Sequence, residues 1–149
     1  CEAAGLPFEA VSLPGLRDAD VLITITSSFD PILGAEHVGP GTHLACMGTD
    51  TRGEQEVSPE LVAGAAVFTD EVAQAVSIGE AQHAVAQGVI AEADIHQLGA
   101  VINGTHPGRQ DDGEITLFDG TGVGLQDLAA AAAVVELAVE MGLAIEVDF

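Results

Sequence analysis

Lysine, tryptophan and tyrosine are absent from these 149 residues, and Arg17, Arg52 and Arg109 are the only strong cations against 24 acidic residues. The formal net charge is −21. Nucleic acids and anionic lipid surfaces are held through basic patches, so neither is expected as a partner. No Walker A motif exists without lysine, and no G-x-G-x-x-G follows a first strand, so the phosphate-gripping turn of a dinucleotide fold is missing from this chain. The longest unbroken apolar run, Leu128 to Val135, is too short to cross a bilayer. Cys1 and Cys46 are too few for a disulfide framework, and Cys46 lies in an apolar run where a buried thiol is the usual occupant; a reducing cytoplasm fits. The five histidines are scattered without H-E-x-x-H or paired spacing, so no metal site is expected. Glu80 and His83 fall one helical turn apart and read as an exposed pair. Cys1 has no initiator Met, charged start or signal-like apolar core after it; it reads as a fragment boundary more readily than as an amino-terminal nucleophile.

What is present is an acidic, apolar-rich chain, 48% hydrophobic, long enough for one domain or part of one. The acids are spread along the whole length, a pattern suited to hydration in high salt, and a halophilic source is expected. Short apolar runs alternate with helical patterns. Phe8–Val11 reads as a short strand and Pro14–Ala19 as a turn. Asp20–Thr26, Thr42–Met47 and Ala65–Thr69 read as strands covered on both faces. Ser58-Pro59-Glu60 opens a helix to about Gly64, with serine capping and proline at the first helical position. Asp70 is expected to cap a longer helix to about Gln87, and Asp94 to start a short one ending near Gly99. Residues 103–113 are a loop. Glu114–Asp119 is a fourth strand, 120–124 a glycine turn, and 126–141 the longest helix, followed by a last short strand. Alternation of this kind means an α/β layered domain with a mostly parallel sheet. Ligands of such sheets sit beyond the carboxyl ends of the strands, which places Thr26-Ser27, Gly48-Thr49-Asp50 and Asp119-Gly120-Thr121 on one rim.

The run Cys46-Met47-Gly48-Thr49-Asp50-Thr51-Arg52-Gly53-Glu54-Gln55-Glu56-Val57, the segment Gly79–Ala84 with Gly88-Val89-Ile90, and Pro107-Gly108-Arg109 with Glu114–Asp119 resemble the ornithine cyclodeaminase/mu-crystallin family. Gly120–Asp127 is similar to that family's closing motif in its ectoine-utilisation branch. The resemblance implies a Rossmann-type doubly wound parallel sheet, incomplete because its first βαβ unit is not in this chain. Residues 1–149 would be the carboxyl-terminal part of an NAD(P)-binding domain. An amino-terminal domain elsewhere would bind the small-molecule amino acid substrate and form a homodimer.

The same resemblance implies that Thr26 touches the nucleotide, that Met47, Gly48, Thr49 and Asp50 lie beside the nicotinamide, and that Gly120 and Thr121 approach cofactor and substrate. Asp50 matches the acidic residue assigned to catalysis in the cyclodeaminases. There, an amino acid is oxidised at Cα to an imine, cyclised with loss of ammonia, and reduced again. A base must hold the attacking amine unprotonated, which a strand-end carboxylate does when partial burial raises its pKa. The alternatives are an NAD(P)-dependent amino or imino acid dehydrogenase or ketimine reductase, and a binding protein in the manner of mu-crystallin. From the residues alone, Asp50 reads equally as a loop carboxylate capping Gly53, Met47 as core packing, and Thr26 as a strand-end hydrogen-bonding group. Glu54 stands where cyclodeaminases place a lysine, which disfavours a 2′-phosphate there and makes NAD the expected cofactor over NADP; halophilic surface drift is the rival explanation.

Overall fold

A computed structural model describes residues 5–147, so Cys1 lies outside the described residues. A 3-10 turn, Leu13–Asp18, leads into strand β1, Val21–Thr24, and β2 spans His43–Cys46. Helix α1, Pro59–Ala63, begins as its sequence dictates: Ser58 accepts the Leu61 N–H at 3.3 Å and Pro59 occupies the first turn. Strand β3 is Ala66–Thr69, followed by the short helices α2, Val72–Ala75, and α3, Gln82–Ala86. Then come β4, Ile95–Gln97, α4, Leu98–Ile102, β5, Thr116–Asp119, and α5, Gly124–Glu140.

The five strands are parallel in the order β1-β2-β5-β3-β4. β5, last in sequence, inserts between β2 and β3. The fold is therefore α/β and Rossmann-like, with the expected long carboxyl-terminal helix. One sheet face carries the core, where Leu22, Leu44, Cys46, Val67, Ile95 and Leu117 pack with Leu61, Val62, Ala75 and Ala84 from α1, α2 and α3. A run of buried apolar strand residues with parallel pairing is the pattern of a covered sheet.

Several elements differ from expectation. β1 is covered on one face only: Leu22 is buried, while Val21 is 55% and Ile23 68% exposed, because β1 is a sheet edge and α1–α3 all lie on the opposite face. Phe8–Val11 is irregular and exposed. Asp94 ends a 3-10 turn and opens no helix; β4 follows at once, its backbone paired to Val67–Thr69, a tertiary pairing that overrides local propensity. The expected helix from Asp70 to Gln87 is two short ones, capped by Glu71, whose side chain accepts the Ala73 N–H. Between them the chain turns inward, so that Glu80 is buried and Ala81 donates to Asp119. Residues 143–147 form no strand.

Helix α5 buries none of its residues and exposes Leu128, Val134, Val135 and Leu137. Its alanine run, the residue type of highest helix propensity, favours the helical conformation locally. No helix among the described residues is long and apolar enough to cross a membrane.

Candidate functional site

β1, β2, β5 and β3 are successive neighbours in a parallel sheet, so the loops leaving their carboxyl ends are neighbours too. The Met47 N–H donates to the Thr24 carbonyl at 2.8 Å, and Gly120 N–H to the Cys46 carbonyl at 2.9 Å, extending the ladders into the loops. The structure thereby brings Thr26, Met47, Gly48, Thr49, Asp50, Gly120 and Thr121 onto one rim. Thr26, Met47 and Asp50 are exposed there; Thr49, Gly120 and Thr121 are buried. Met47 is 43% exposed, so the expectation of core packing does not hold. It lies over Gly120, where a Cβ would come 2.6 Å from its sulfur.

Gly48 has no room for a side chain. A Cβ there would fall well inside contact distance of the Thr26 backbone N and O, so the absent side chain makes room for the neighbouring loop of the same protein. Three buried carboxylates then hold three successive residues of the β2 loop. Glu56 Oε2 accepts the Gly48 N–H at 3.2 Å, Glu80 Oε2 accepts the Thr49 hydroxyl, and Glu54 Oε2 accepts the Asp50 N–H at 3.3 Å. Glu80 also accepts the Glu56 and Val57 amides at 2.9 and 2.7 Å. Burial pushes the Glu80 carboxyl up from its ordinary value, against the bonds from Thr49, Val57 and Glu56.

Three expectations are corrected by these contacts. Glu54 is no surface substitution, since it is buried and bonded to the loop. Glu80 and His83 are no exposed pair: Glu80 is buried, and His83 Nε2 lies 3.2 Å from the Gly53 carbonyl. Asp50 does not cap Gly53, whose N–H goes to Gln82 Oε1 at 2.8 Å. Among the described residues its carboxylate accepts only the Thr51 hydroxyl, at 3.1 Å, and it stays exposed.

On the β5 side, the Thr121 hydroxyl lies 2.8 Å from Asp70 Oδ1 and 2.8 Å from Gln74 Oε1. Asp70 also accepts the N–H groups of Glu71 and Gly122 at 2.9 Å each. Burial raises the Asp70 carboxyl, but the bonds from Thr121, Gly122 and Glu71 outweigh it and hold it below its ordinary value. Asp119, fully buried at the end of β5, accepts the Ala81 N–H through Oδ2 at 3.0 Å and leaves Oδ1 without a partner among the described residues. Burial pushes its pKa up to about 7. The neighbouring Cys46 thiol is pushed well up, by burial first and by the charge of Glu80 next, so it behaves as an apolar core group.

The resemblance implies a dinucleotide, and the donor set here fits its nicotinamide end: the thioether of Met47 presents an apolar surface, flanked by Thr26 and Asp50. Among the described residues no group of three or more His, Cys, Asp or Glu has metal-ligand geometry. A cavity of about 330 Å³ lies elsewhere, between β5 and α4, lined by His43, Phe68, Val101, Arg109 and Phe118. Arg109 is committed there to the Gly41 and Glu114 carbonyls at 2.8 and 2.7 Å. Glu56, Glu80 and Asp70 are the residues that sequence reasoning missed as site builders. Asp70 carries a visible signal, a carboxylate at a strand end, which the sequence alone reads as a helix cap.

Residues 3–142 match the family model described as "Ornithine cyclodeaminase/mu-crystallin family". The chain is 63% identical over 145 residues to the iminosuccinate reductase of Paracoccus denitrificans, covering 97% of this chain and 45% of that protein. It is 38% identical over 150 residues to the alanine dehydrogenase of Archaeoglobus fulgidus, covering 100% and 47%. A crystal structure of the Paracoccus denitrificans iminosuccinate reductase in complex with NAD+ superposes with a TM-score of 0.94 at 61% identity, covering 99% of this chain and 46% of that one. The chain spans just under half the length of these relatives.

Proposed function

The chain belongs to the ornithine cyclodeaminase/mu-crystallin family, and from that premise we propose that it forms the nicotinamide-end part of the NAD site of an amino/imino acid oxidoreductase, reducing a dicarboxylic imino acid such as iminosuccinate. The observation that carries this reading is the 63% identity, over 145 residues, to an iminosuccinate reductase. Thr26, Met47, Gly48 and Thr49 would hold the cofactor's nicotinamide end, with Gly120 beneath Met47 and Thr121 toward the substrate. Bound there, the cofactor supplies a hydride to the imine carbon. The imine nitrogen takes up a proton, and the C=N bond becomes an amine. Asp50, exposed at the rim, is the group proposed to hold or relay that proton. NAD is the proposed cofactor, as in the NAD+ complex of the similar Paracoccus denitrificans enzyme.

A cyclodeaminase is the second reading, supported by the position of Asp50 in the Gly48-Thr49-Asp50 motif. The two differ in stoichiometry. In full-length protein, a reductase converts NADH to NAD+ mole for mole with amino acid formed, whereas a cyclodeaminase turns over on catalytic NAD and releases ammonia. An Asp50→Asn variant with unchanged turnover removes Asp50 from the chemistry under either reading.

A further inference from the structure

We infer that Glu56 is a positioning residue that fixes the spacing of the β1 and β2 rim loops before any cofactor arrives; this rests on the proposal that the rim receives the nicotinamide end of NAD. Glu56 is 0% exposed. Its Oε1 accepts both the Thr26 N–H, at 2.6 Å, and the Thr26 hydroxyl, at 2.8 Å. Its Oε2 accepts the Gly48 N–H at 3.2 Å. One carboxylate therefore joins two loops that leave different strands, at the residues proposed to touch the cofactor.

The side chain is itself anchored. The Glu56 N–H donates to Glu80 Oε1 at 2.9 Å, and its carbonyl accepts Ile32 and Leu33 N–H at 2.7 and 3.0 Å. Both loops present N–H donors to it, so only a group accepting at both ends serves. Glutamine has one oxygen; whichever loop it satisfies, its NH2 faces an N–H of the other. An apolar replacement leaves two backbone donors unpaired beside a glycine that provides no alternative support. The absence of a Cβ on Gly48 lets the Thr26 backbone rest against it, so Glu56 and that contact together set the spacing.

Glu56→Gln and Glu56→Ala in the full-length protein test this by titration with NADH, followed by fluorescence, and with ADP-ribose, which lacks the nicotinamide. Loss of bonds to a charged group predicts an NADH Kd raised about tenfold or more, with the ADP-ribose Kd changed less than about twofold. Unchanged NADH affinity, or equal weakening of both ligands as a merely structural role would give, overturns the inference. Failure of the unsubstituted protein to bind NADH overturns instead the cofactor reading on which it rests. Where the variants do not fold, amide exchange in the unsubstituted, cofactor-free protein decides. Thr26 and Gly48 amides as slow as those of β2 support prepositioning, and fast exchange that slows only with NADH refutes it.

Discussion

Asp119→Asn should make the protein more stable at neutral and alkaline pH. In the folded state burial raises the Asp119 pKa from 3.8 to about 7, and one oxygen has no partner to repay the desolvation. The folded state thus holds this proton more tightly than the unfolded chain between those two values. Its stabilising contribution is complete below the unfolded pKa and is lost as pH rises through the folded one. At about 1.4 kcal/mol per pH unit, the loss between about pH 4 and about pH 8 comes to roughly 3–4 kcal/mol. Asparagine reproduces the neutral acid: its carbonyl keeps the Ala81 N–H, and its NH2 replaces the unpartnered oxygen. Urea unfolding of both proteins across that pH range isolates the effect, because every other titrating group is common to the pair. The variant should match the parent near pH 4 and exceed it progressively toward pH 8. A difference that stays constant with pH, or a variant that loses stability on the alkaline side, refutes the assignment of a proton to Asp119.

Gly48→Ala should cost about 1–3 kcal/mol by overpacking, since the added methyl meets the Thr26 backbone and Glu56 Oε1; calorimetry reads it, and a neutral effect would mean the two loops are not in contact. Asp70→Ala frees the N–H groups of Thr121, Gly122 and Glu71 and should cost about 1 kcal/mol or more. Because the folded Asp70 pKa is lowered, its contribution is present above the ordinary value and vanishes as pH falls through the folded one, so parent and variant should converge in acid. The charge of −21 predicts a melting temperature that climbs as added salt shortens the Debye length from about 10 Å toward about 3 Å, and a flat response would remove self-repulsion from the account.

Strands in the interior of the sheet were legible because their residues are apolar without interruption: Leu44-Ala45-Cys46 and Ala66-Val67-Phe68 allow little else, and with them came the rim. Ile95-His96-Gln97 was not legible, having one apolar residue in three; it is a strand only because β3 offers it backbone partners. The broken helix between Asp70 and Gln87 was hidden for the opposite reason. Its local pattern is helical, and what interrupts it is Asp119, thirty-eight residues away from the Ala81 amide it receives. The rim's outer residues followed from strand ends and from the resemblance, whereas its supports did not. In a chain with 24 acids, nothing local separates Glu56 and Glu80 from solvated carboxylates; burial and long-range amide donors make the difference, and both appear only in three dimensions.

This rim is proposed to serve an NAD-dependent amino/imino acid oxidoreductase. The most direct test supplies the full-length protein with NADH, oxaloacetate and ammonium, which equilibrate with iminosuccinate, and follows NADH absorbance together with aspartate formation. Equimolar NADH loss and aspartate gain are expected, both strongly reduced by Asp50→Asn. Turnover of ornithine to proline on catalytic NAD, with NADH unconsumed by the imino acid, would contradict it.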